Sequence, residues 1–290
     1  MNKIRISVII AASALAAAMA ATLPAATAAS RSGPPPAGTA RLTGPMRADP
    51  AIHYRTALAS PRTLKANTVT TGNWSGYAIT AKPGQTIGRI QALFSIPDVN
   101  CARSTLGTAG DALFSDWAGL DGFTTKTVEQ AGVGAMCTST TGPATYFAFY
   151  EMFPNPGVTF TGVNPGDAIV VVVQRVSTGW ELVLQDRTTG GSITTVQPCP
   201  THSTCRDANG EEITEDYNGS VSFGHNLADF GFDNQTDLLA TSGGGRSGSL
   251  ASGGLWTSST IEMVNGAHRL ATAGPLYGGE AFNVGWNASR

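Results

Sequence analysis

The sequence lacks the groupings on which metal-dependent and nucleophile-dependent hydrolases rely. It has no HExxH pair, and its four histidines, His53, His202, His225 and His268, are scattered along the chain. The cysteines form no C-x-x-C pair, so a zinc site is not indicated. The one fragment like G-x-S-x-G, which starts at Gly245, lacks its last glycine, and no glycine loop precedes a helix to hold a phosphate. We therefore expect no metal and no cofactor.

Charged residues are scarce, at 13% of the chain, and unevenly distributed. Residues 1–70 hold eight of the 18 Lys and Arg but one of the 20 Asp and Glu, which gives this segment a net charge of +7 and residues 71–290 a net charge of −9. A basic head on an acidic body does not favour nucleic-acid binding. It suggests that the head neutralises the body.

Long apolar runs are absent except at the N-terminus. A basic start leads into the apolar run Ile6–Ala21, and residues 26–28 read Ala-Thr-Ala, an A-x-A cleavage site. The alternative, a membrane anchor, is disfavoured because the run is short and Pro24 follows it. Residues 1–29 therefore predict a signal peptide, hence a secreted, extracellular protein without membrane attachment after signal cleavage.

Residues 30–69 are rich in Pro, Ala, Gly and Arg and show little periodicity. Such a segment cannot bury a core of its own. It is either a disordered linker or a propeptide that shields an acidic site until it is removed. The charge asymmetry favours the propeptide.

Residues 70–290 consist of short apolar runs separated by Gly, Pro, Asn and Ser turns, which is typical of an all-β domain. About a dozen strands without a convincing helix predict a two-sheet antiparallel β-sandwich. The continuous apolar run Ala168–Val173 predicts a strand buried on both faces. The segment Ser242–Gly254 predicts a flexible surface loop. The predicted strands are Trp74–Thr80, Ile87–Ile96, Leu113–Gly119, Thr127–Val133, Thr145–Phe153, Ala168–Val176, Glu181–Asp186, Ser192–Val196, Glu212–Asp216, Ser220–Phe223, Ala228–Phe232 and Ser259–Val264.

An even number of cysteines in an exported protein indicates disulfides. Cys199 and Cys205 enclose a short loop, so we favour the pairs Cys199–Cys205 and Cys101–Cys137. Paired cysteines leave no thiolate nucleophile.

What remains for catalysis is carboxylates and carboxamides. The stretch 114–153 places Asp116, Asp121, Glu129, Gln130 and Glu151 among apolar and aromatic residues. Burying such groups without partners is costly, so they lie on an exposed edge or form a polar site.

A second candidate segment reads GEEITEDY. Strand alternation puts Glu211, Ile213 and Glu215 on one face and Glu212, Thr214 and Asp216 on the other. A glutamate as general base and a glutamine as oxyanion donor would suit water attack on an acyl carbon at acid pH.

Four motifs, in order and spacing, resemble the glutamic peptidases, also called eqolisins or peptidase family G1. N-W-x-G occurs at residues 73–76 and W-x-G-[IL]-D-G at residues 117–122. The family's catalytic glutamine, followed by a small residue and Gly, matches residues 130–132, and Y-x-A-W-Y-E-W-Y-P matches residues 146–154. The sequence thus resembles a bacterial secreted member of this family.

The resemblance implies a concanavalin A-like sandwich, similar to legume lectins and glucanases, a removable basic propeptide and endopeptidase activity on protein or peptide substrates. It identifies Gln130 as the catalytic glutamine. The family's A-E-[WF]-I-x-E segment is matched by residues 210–215, although glycine replaces the alanine and glutamate the aromatic residue. This places the catalytic glutamate at Glu215, with Glu211 in reserve.

Five further residues are implied to bind substrate or support the site: Trp117, Asp121, Glu151, Trp74 and Phe149. Core packing is the alternative role for Trp117, and turn or hydrogen-bond structure is that for Asp121. We expect a monomer.

Two alternatives stay open, both carbohydrate-active or carbohydrate-binding sandwiches. A glucanase-type hydrolase would pair Glu211 with Glu215, but on a regular strand they lie about 13 Å apart, where roughly 5–10 Å is needed, so this would require a bulge. A non-catalytic binding sandwich would instead expose Trp180, Trp256 or Trp286.

Overall fold

A computed structural model describes residues 47–48, 67–216 and 224–289. The predicted signal peptide, nearly all of the predicted propeptide, His53 and the predicted strand Ser220–Phe223 lie outside these residues. The chain divides into the units Met1–Ala37 and Gly38–Arg290, and everything described belongs to the second. In the described part of the chain, no helix is long and apolar enough to cross a membrane.

Every regular element in the described ranges is a β-strand, as predicted. The strands are β1 (Arg47–Ala48), β2 (Thr68–Thr71), β3 (Trp74–Ala81), β4 (Ile87–Ser95), β5 (Ala112–Leu120), β6 (Val128–Cys137), β7 (Thr145–Phe153), β8 (Val158–Phe160), β9 (Ala168–Val176), β10 (Gly179–Asp186), β11 (Ser192–Gln197), β12 (Asn209–Glu215), β13 (Asn226–Leu227), β14 (Phe232–Ser242), β15 (Ser247–Gly248), β16 (Trp256–Asn265), β17 (His268–Ala273) and β18 (Phe282–Trp286).

The strands form two facing sheets, which confirms the predicted sandwich. One sheet has the order β11-β10-β9-β4-β14, and the other has the order β16-β3-β12-β5-β6-β7-β8. Strands β17 and β18 connect β16 to β14 and so join the two sheets at one side. Pairing is antiparallel except between β2 and β16 and between β13 and β5. Strands β4, β9 and β10 pack against β5, β6 and β12.

The core lies between these sheets, and side chains of alternate residues enter it. Strand β9 alternates buried and half-buried residues, with Ile169, Val171 and Val173 in the core. The prediction that Ala168–Val173 is buried on both faces is therefore wrong. A continuous valine run satisfies the β-propensity of a strand that is buried on one face only.

A second apolar cluster, which includes Trp74, Trp117, Phe149 and Ile213, lies on the other side of the β3-β12-β5-β6-β7 sheet. We call this side the outer face. Gly132 makes room for it, because a Cβ there would lie 2.2 Å from the backbone oxygen of Asp116 and 2.5 Å from Cβ of Trp117.

Strand boundaries are mostly as predicted, and β7 and β9 match the predicted ranges. The C-terminal third departs from prediction. Residues 228–231 are not a strand, and the long strand β14 begins at Phe232. The segment Ser242–Gly254 contains the short strand β15 and the buried Leu250, so it is more ordered than a surface loop. Polar, glycine-rich strands of this kind lack the alternation that identifies strands in a sequence.

Both predicted disulfides are confirmed. Cys101 is joined to Cys137, and Cys199 to Cys205. The described residues contain no free cysteine and no group of His, Cys, Asp and Glu arranged to hold a metal.

Candidate active site

The outer face carries Glu215 at the end of β12, between the neighbouring strands β3 and β5. Backbone pairing places it opposite Trp74 on β3 and opposite Ser115 on β5. Directly opposite residues of antiparallel strands share a face, so the Trp74 and Glu215 side chains meet there.

The Glu215 carboxyl accepts three hydrogen bonds from side-chain N–H groups. Asn73 Nδ2 and Trp74 Nε1 donate to Oε1 at 2.8 and 2.9 Å, and Trp117 Nε1 donates to Oε2 at 2.7 Å. The two indoles pack edge to face, with ring centroids 5.1 Å apart. This packing holds both donors in position, so the carboxyl has one fixed orientation.

Two opposing influences act on the pKa of Glu215. Burial is the larger and raises the pKa to about 8, while the hydrogen bonds from Trp74, Trp117 and Asn73 lower it by favouring the charged form. The carboxyl is therefore buried, but it has hydrogen-bond donors suited to a carboxylate.

Gln130 and Glu151 form the second part of the outer-face site. They lie directly opposite each other on β6 and β7, and Gln130 Nε2 donates to Glu151 Oε2 at 2.7 Å. Gln130 Oε1 and Glu151 Oε1 are buried and have no hydrogen-bond partner among the described residues. One oxygen on each side chain can therefore accept a bond from water or substrate.

The link between the two parts runs through Glu151. Burial is the largest cause of its raised pKa, and the nearby charge of Glu215 is the next. No hydrogen bond joins Gln130 directly to Glu215 among the described residues. Their convergence in one catalytic unit thus stays a prediction, supported by the shared face and by Glu151.

The reserve residue, Glu211, also lies on the outer face but contacts different residues from Glu215. Its Oε1 accepts the backbone N–H of Phe123 at 3.2 Å. Burial raises its pKa, and Asp121 is the first of the charges that add to this effect. Glu211 therefore sits by the β5–β6 loop.

Asp121 joins the β5–β6 loop to the loop between β11 and β12 by hydrogen bonds. Its carboxylate accepts the backbone N–H groups of Arg206, Asp207 and Ala208 at 2.6, 2.8 and 2.8 Å, and its own φ is 64°. It thus positions the chain that leads into β12, which is the turn and hydrogen-bond role given as its alternative, and its role in the site stays a prediction.

The remaining supporting candidates, Trp74, Trp117 and Phe149, are fully buried in the outer-face cluster. Trp117 packs in this cluster and also donates a hydrogen bond to Glu215, so its role in the site stays a prediction. Phe149 lies 6.4 Å from Phe147 between ring centroids.

Three acidic residues of the two candidate segments lie on the inner side of the sheet. Asp116, Glu129 and Glu212 are fully buried and share strand faces with core residues. Asp116 and Glu129 are therefore not on an exposed edge, the first of the two expected alternatives. Strand alternation sends them to the opposite face from Gln130.

The inner side holds a polar cluster, unpredicted from sequence, that spans the two sheets. Gln235 Nε2 on β14 donates to Asp116 Oδ1 at 2.6 Å, and Thr214 Oγ1 donates to Asp233 Oδ2 at 2.7 Å. Burial raises the pKa values of Asp116 and Asp233, and the nearby charge of Asp233 raises that of Asp116 further.

Sequence reasoning also left Asn73 out of the candidate site, although it is the first residue of the N-W-x-G motif. Its hydrogen bond to Glu215 gives a physical reason for that position. The motif itself was the available signal.

Two features weigh against the carbohydrate alternatives. Pairing along β12 is continuous from Gly210 to Glu215 on both sides, without the bulge that a Glu211–Glu215 pair would require. Trp180 and Trp256 are buried, contrary to the expectation of an exposed binding surface, and Trp286 is half-buried beneath Arg103.

Solved structures with the same fold define the class. A Scytalido-glutamic peptidase crystallised with a peptide-based transition state analog is 24% identical, with a TM-score of 0.59, over 74% of this chain and 98% of that one. SCP-B, an eqolisin in complex with the tripeptide Ala-Ile-His, is 22% identical, with a TM-score of 0.57, over 74% and 98%. Aspergilloglutamic peptidase from Aspergillus niger is 26% identical, with a TM-score of 0.53, over 61% and 99%.

The profile of the Peptidase A4 family matches residues 72–284, most of the chain. The chain belongs to the Peptidase A4 family and is accordingly a glutamic endopeptidase, a hydrolase. A search of curated proteins returned no match.

Proposed function

We propose that this protein is a secreted, acid-acting endopeptidase in which Glu215 and Gln130 activate water to hydrolyse peptide bonds. The observation that carries the proposal is the Glu215 carboxyl, held by three N–H donors on the outer face of the sheet. A fixed carboxylate that retains a free lone pair is suited to accept a proton from water.

The reaction follows from these positions. Glu215 takes a proton from water while the water oxygen attacks the peptide carbonyl carbon. Gln130 donates an N–H to the developing oxyanion, an interaction worth roughly 3–4 kcal/mol. Protonated Glu215 then gives its proton to the leaving nitrogen, the C–N bond breaks, and the products are a carboxylic acid and an amine.

Glu151 is a positioning residue in this scheme. It accepts one N–H of Gln130, which leaves the second N–H to point at substrate and prevents the amide from rotating. The unpaired Oε1 atoms of both residues would accept a bond from the attacking water.

Acid action requires Glu215 to be ionised at acid pH. Because burial is the largest cause of its raised pKa, admission of water and substrate to the outer face would lower that pKa. The hydrogen bonds from Asn73, Trp74 and Trp117 would then be the larger influence on the pKa of Glu215. Removal of residues 30–69 is the step we expect to admit substrate.

Casein digestion across the pH range tests the proposal, with the wild type compared to Gln130→Ala and with pepstatin present and absent. We expect a wild-type optimum at acid pH, resistance to pepstatin and a loss of about 10²–10³ in kcat for Gln130→Ala. Undiminished digestion by Gln130→Ala would remove the glutamine from the mechanism.

The pro-segment has its own test. Cleaving the full chain just before strand β2, which begins at Thr68, should increase peptidase activity without changing the fold, as judged by circular dichroism. A more active full-length form would show that residues 30–69 are not inhibitory.

A further inference from the structure

A cavity of about 530 Å³ lies between two loops at one end of the β5–β6–β7 region. One wall is the β5–β6 loop, including Lys126, and the other is the loop between β11 and β12, including His202 and Arg206. The rest of the lining is mainly threonine and serine hydroxyls, with Pro154.

The charges of this cavity are all of one sign. Lys126, His202 and Arg206 contribute to its surface, and no Asp or Glu does. None of the three forms an ion pair with a described residue, whereas Arg103, Arg175 and Arg269 do. Residues 71–290 carry a net charge of −9, whereas the only charged side chains among the described residues that line this cavity are basic.

Both walls are fixed by hydrogen bonds. Asp121 accepts the backbone N–H of Arg206 at 2.6 Å, and the Cys199–Cys205 disulfide closes the rest of that loop. On the other wall, Thr124 donates its backbone N–H and its hydroxyl to Asn209 Oδ1 at 2.9 and 2.7 Å. The cations are therefore carried on backbone that is held in place before a ligand arrives.

The cavity lies along the strand direction from Gln130 and Glu151. Thr127 in its lining is three residues before Gln130, and Pro154 is three residues after Glu151. At roughly 3.3 Å per residue, this separation is about 10 Å. An extended peptide held at Gln130 would therefore bring a side chain about three residues from the scissile bond to the cavity.

We propose that this cavity is a specificity subsite that binds the carboxylate side chain of a Glu or Asp in the peptide substrate. The inference rests on the proposed peptidase function and adds a substrate preference to it. Arg206 offers the planar pair of N–H groups that matches a carboxylate, Lys126 adds a charge, and both Lys126 and His202 add hydrogen-bond donors.

Cleavage of a peptide series tests the subsite. A parent peptide with one cleavage site and no charged side chain is compared with single-Glu and single-Gln versions at each position around that site. The assay is run at about pH 5, above the ordinary Glu pKa of about 4.3. The proteins are the full chain, activated at acid pH, with the wild type beside Lys126→Gln/Arg206→Gln and the control Arg246→Gln, which alters an exposed cation outside the cavity.

We expect the wild type to prefer Glu over Gln by about tenfold in kcat/KM at one position, about three residues from the scissile bond. The double variant should lose this preference and still cleave the uncharged parent normally, and Arg246→Gln should keep it. Equal cleavage of the Glu and Gln peptides at every position, or a preference that survives in the double variant, would overturn the subsite.

Binding of fluorescein-labelled versions of the same peptides, followed by anisotropy, separates the two proposals. Cleavage without a Glu preference rejects the subsite and leaves the peptidase function intact. Tighter binding of the Glu peptide that depends on Lys126 and Arg206, without any cleavage, supports an anionic peptide site and rejects the catalytic proposal.

Discussion

The two faces of strand β12 carry glutamates with opposite surroundings. Glu215, on the outer face, accepts three N–H hydrogen bonds. Glu212, on the inner face, is fully buried, and neither of its carboxyl oxygens has a hydrogen-bond partner among the described residues. Burial raises both pKa values, but only Glu215 has donors that oppose it.

This difference distinguishes a functional carboxyl from a structural one inside an apolar sheet. A carboxyl without donors is stable in the interior as the neutral acid. A carboxyl with several fixed donors can be ionised when water reaches it. The hydrogen-bond donors around a buried carboxyl are therefore more informative about its role than its burial or its position in the sequence.

The largest effect is expected from replacing Glu215. Glu215→Gln keeps the shape but removes the base, so peptide cleavage should fall by at least about a thousandfold. Glu211→Gln, on the same face but bonded to the β5–β6 loop, should lose less than about tenfold. Initial rates on one quenched peptide measure both variants, and a severe loss in Glu211→Gln alone would move the base to that residue.

The next effect concerns stability against pH. The inner-side carboxyls of Asp116, Glu212 and Asp233 have raised native pKa values, and Glu129 reaches about 9. The native state therefore binds more protons than the unfolded state once pH exceeds about 4. Stability is then greatest at acid pH and falls as pH rises above about 4. For Glu129 the fall is about 1.4 kcal/mol per pH unit until its native pKa of about 9 is reached.

Glu212→Gln should flatten this curve. We expect near wild-type stability at acid pH and greater stability than wild type at neutral pH, measured by urea unfolding. Glu280→Gln, which alters an exposed carboxyl, serves as the control and should follow the wild-type curve. A Glu212→Gln curve parallel to wild type would show that Glu212 is not a buried neutral acid.

A smaller effect is expected from removing one donor to Glu215. Trp74→Phe deletes the N–H to Oε1, so the pKa of Glu215 rises, and the acidic limb of kcat/KM should move up by about one pH unit. Trp256→Phe is the matched control, because its N–H bonds to the backbone oxygens of Ser249 and Leu250. An unmoved limb in Trp74→Phe would mean that this hydrogen bond does not tune the base.

Much of the fold and of the outer face could be predicted from sequence. Strand alternation assigns Glu211, Ile213 and Glu215 to one face, as observed, and the short loop between Cys199 and Cys205 indicates their disulfide. The family motifs identify Gln130 and Trp117. Each of these signals is local, because neighbouring residues or a short spacing carry it.

The inner polar cluster could not be predicted because its contacts join residues that are far apart in the sequence. Asp116 meets Gln235 across 119 residues of sequence, and Gln235 lies on β14, a polar strand interrupted by a register shift and by Asp237 with a φ of 53°. Strand β14 has no clear alternation in its sequence. Its pairing with β4 and β18 is decided by the tertiary fold.

The contrast between the two faces is tested most directly by the activity of Glu212→Gln beside Glu215→Gln. Measured as kcat/KM against pH on one peptide, Glu212→Gln should follow the wild-type profile within about threefold, since a neutral acid is replaced by a neutral amide of the same shape. Glu215→Gln should be inactive throughout. Loss of activity in Glu212→Gln with activity retained in Glu215→Gln would contradict the assignment of the catalytic glutamate to the outer face.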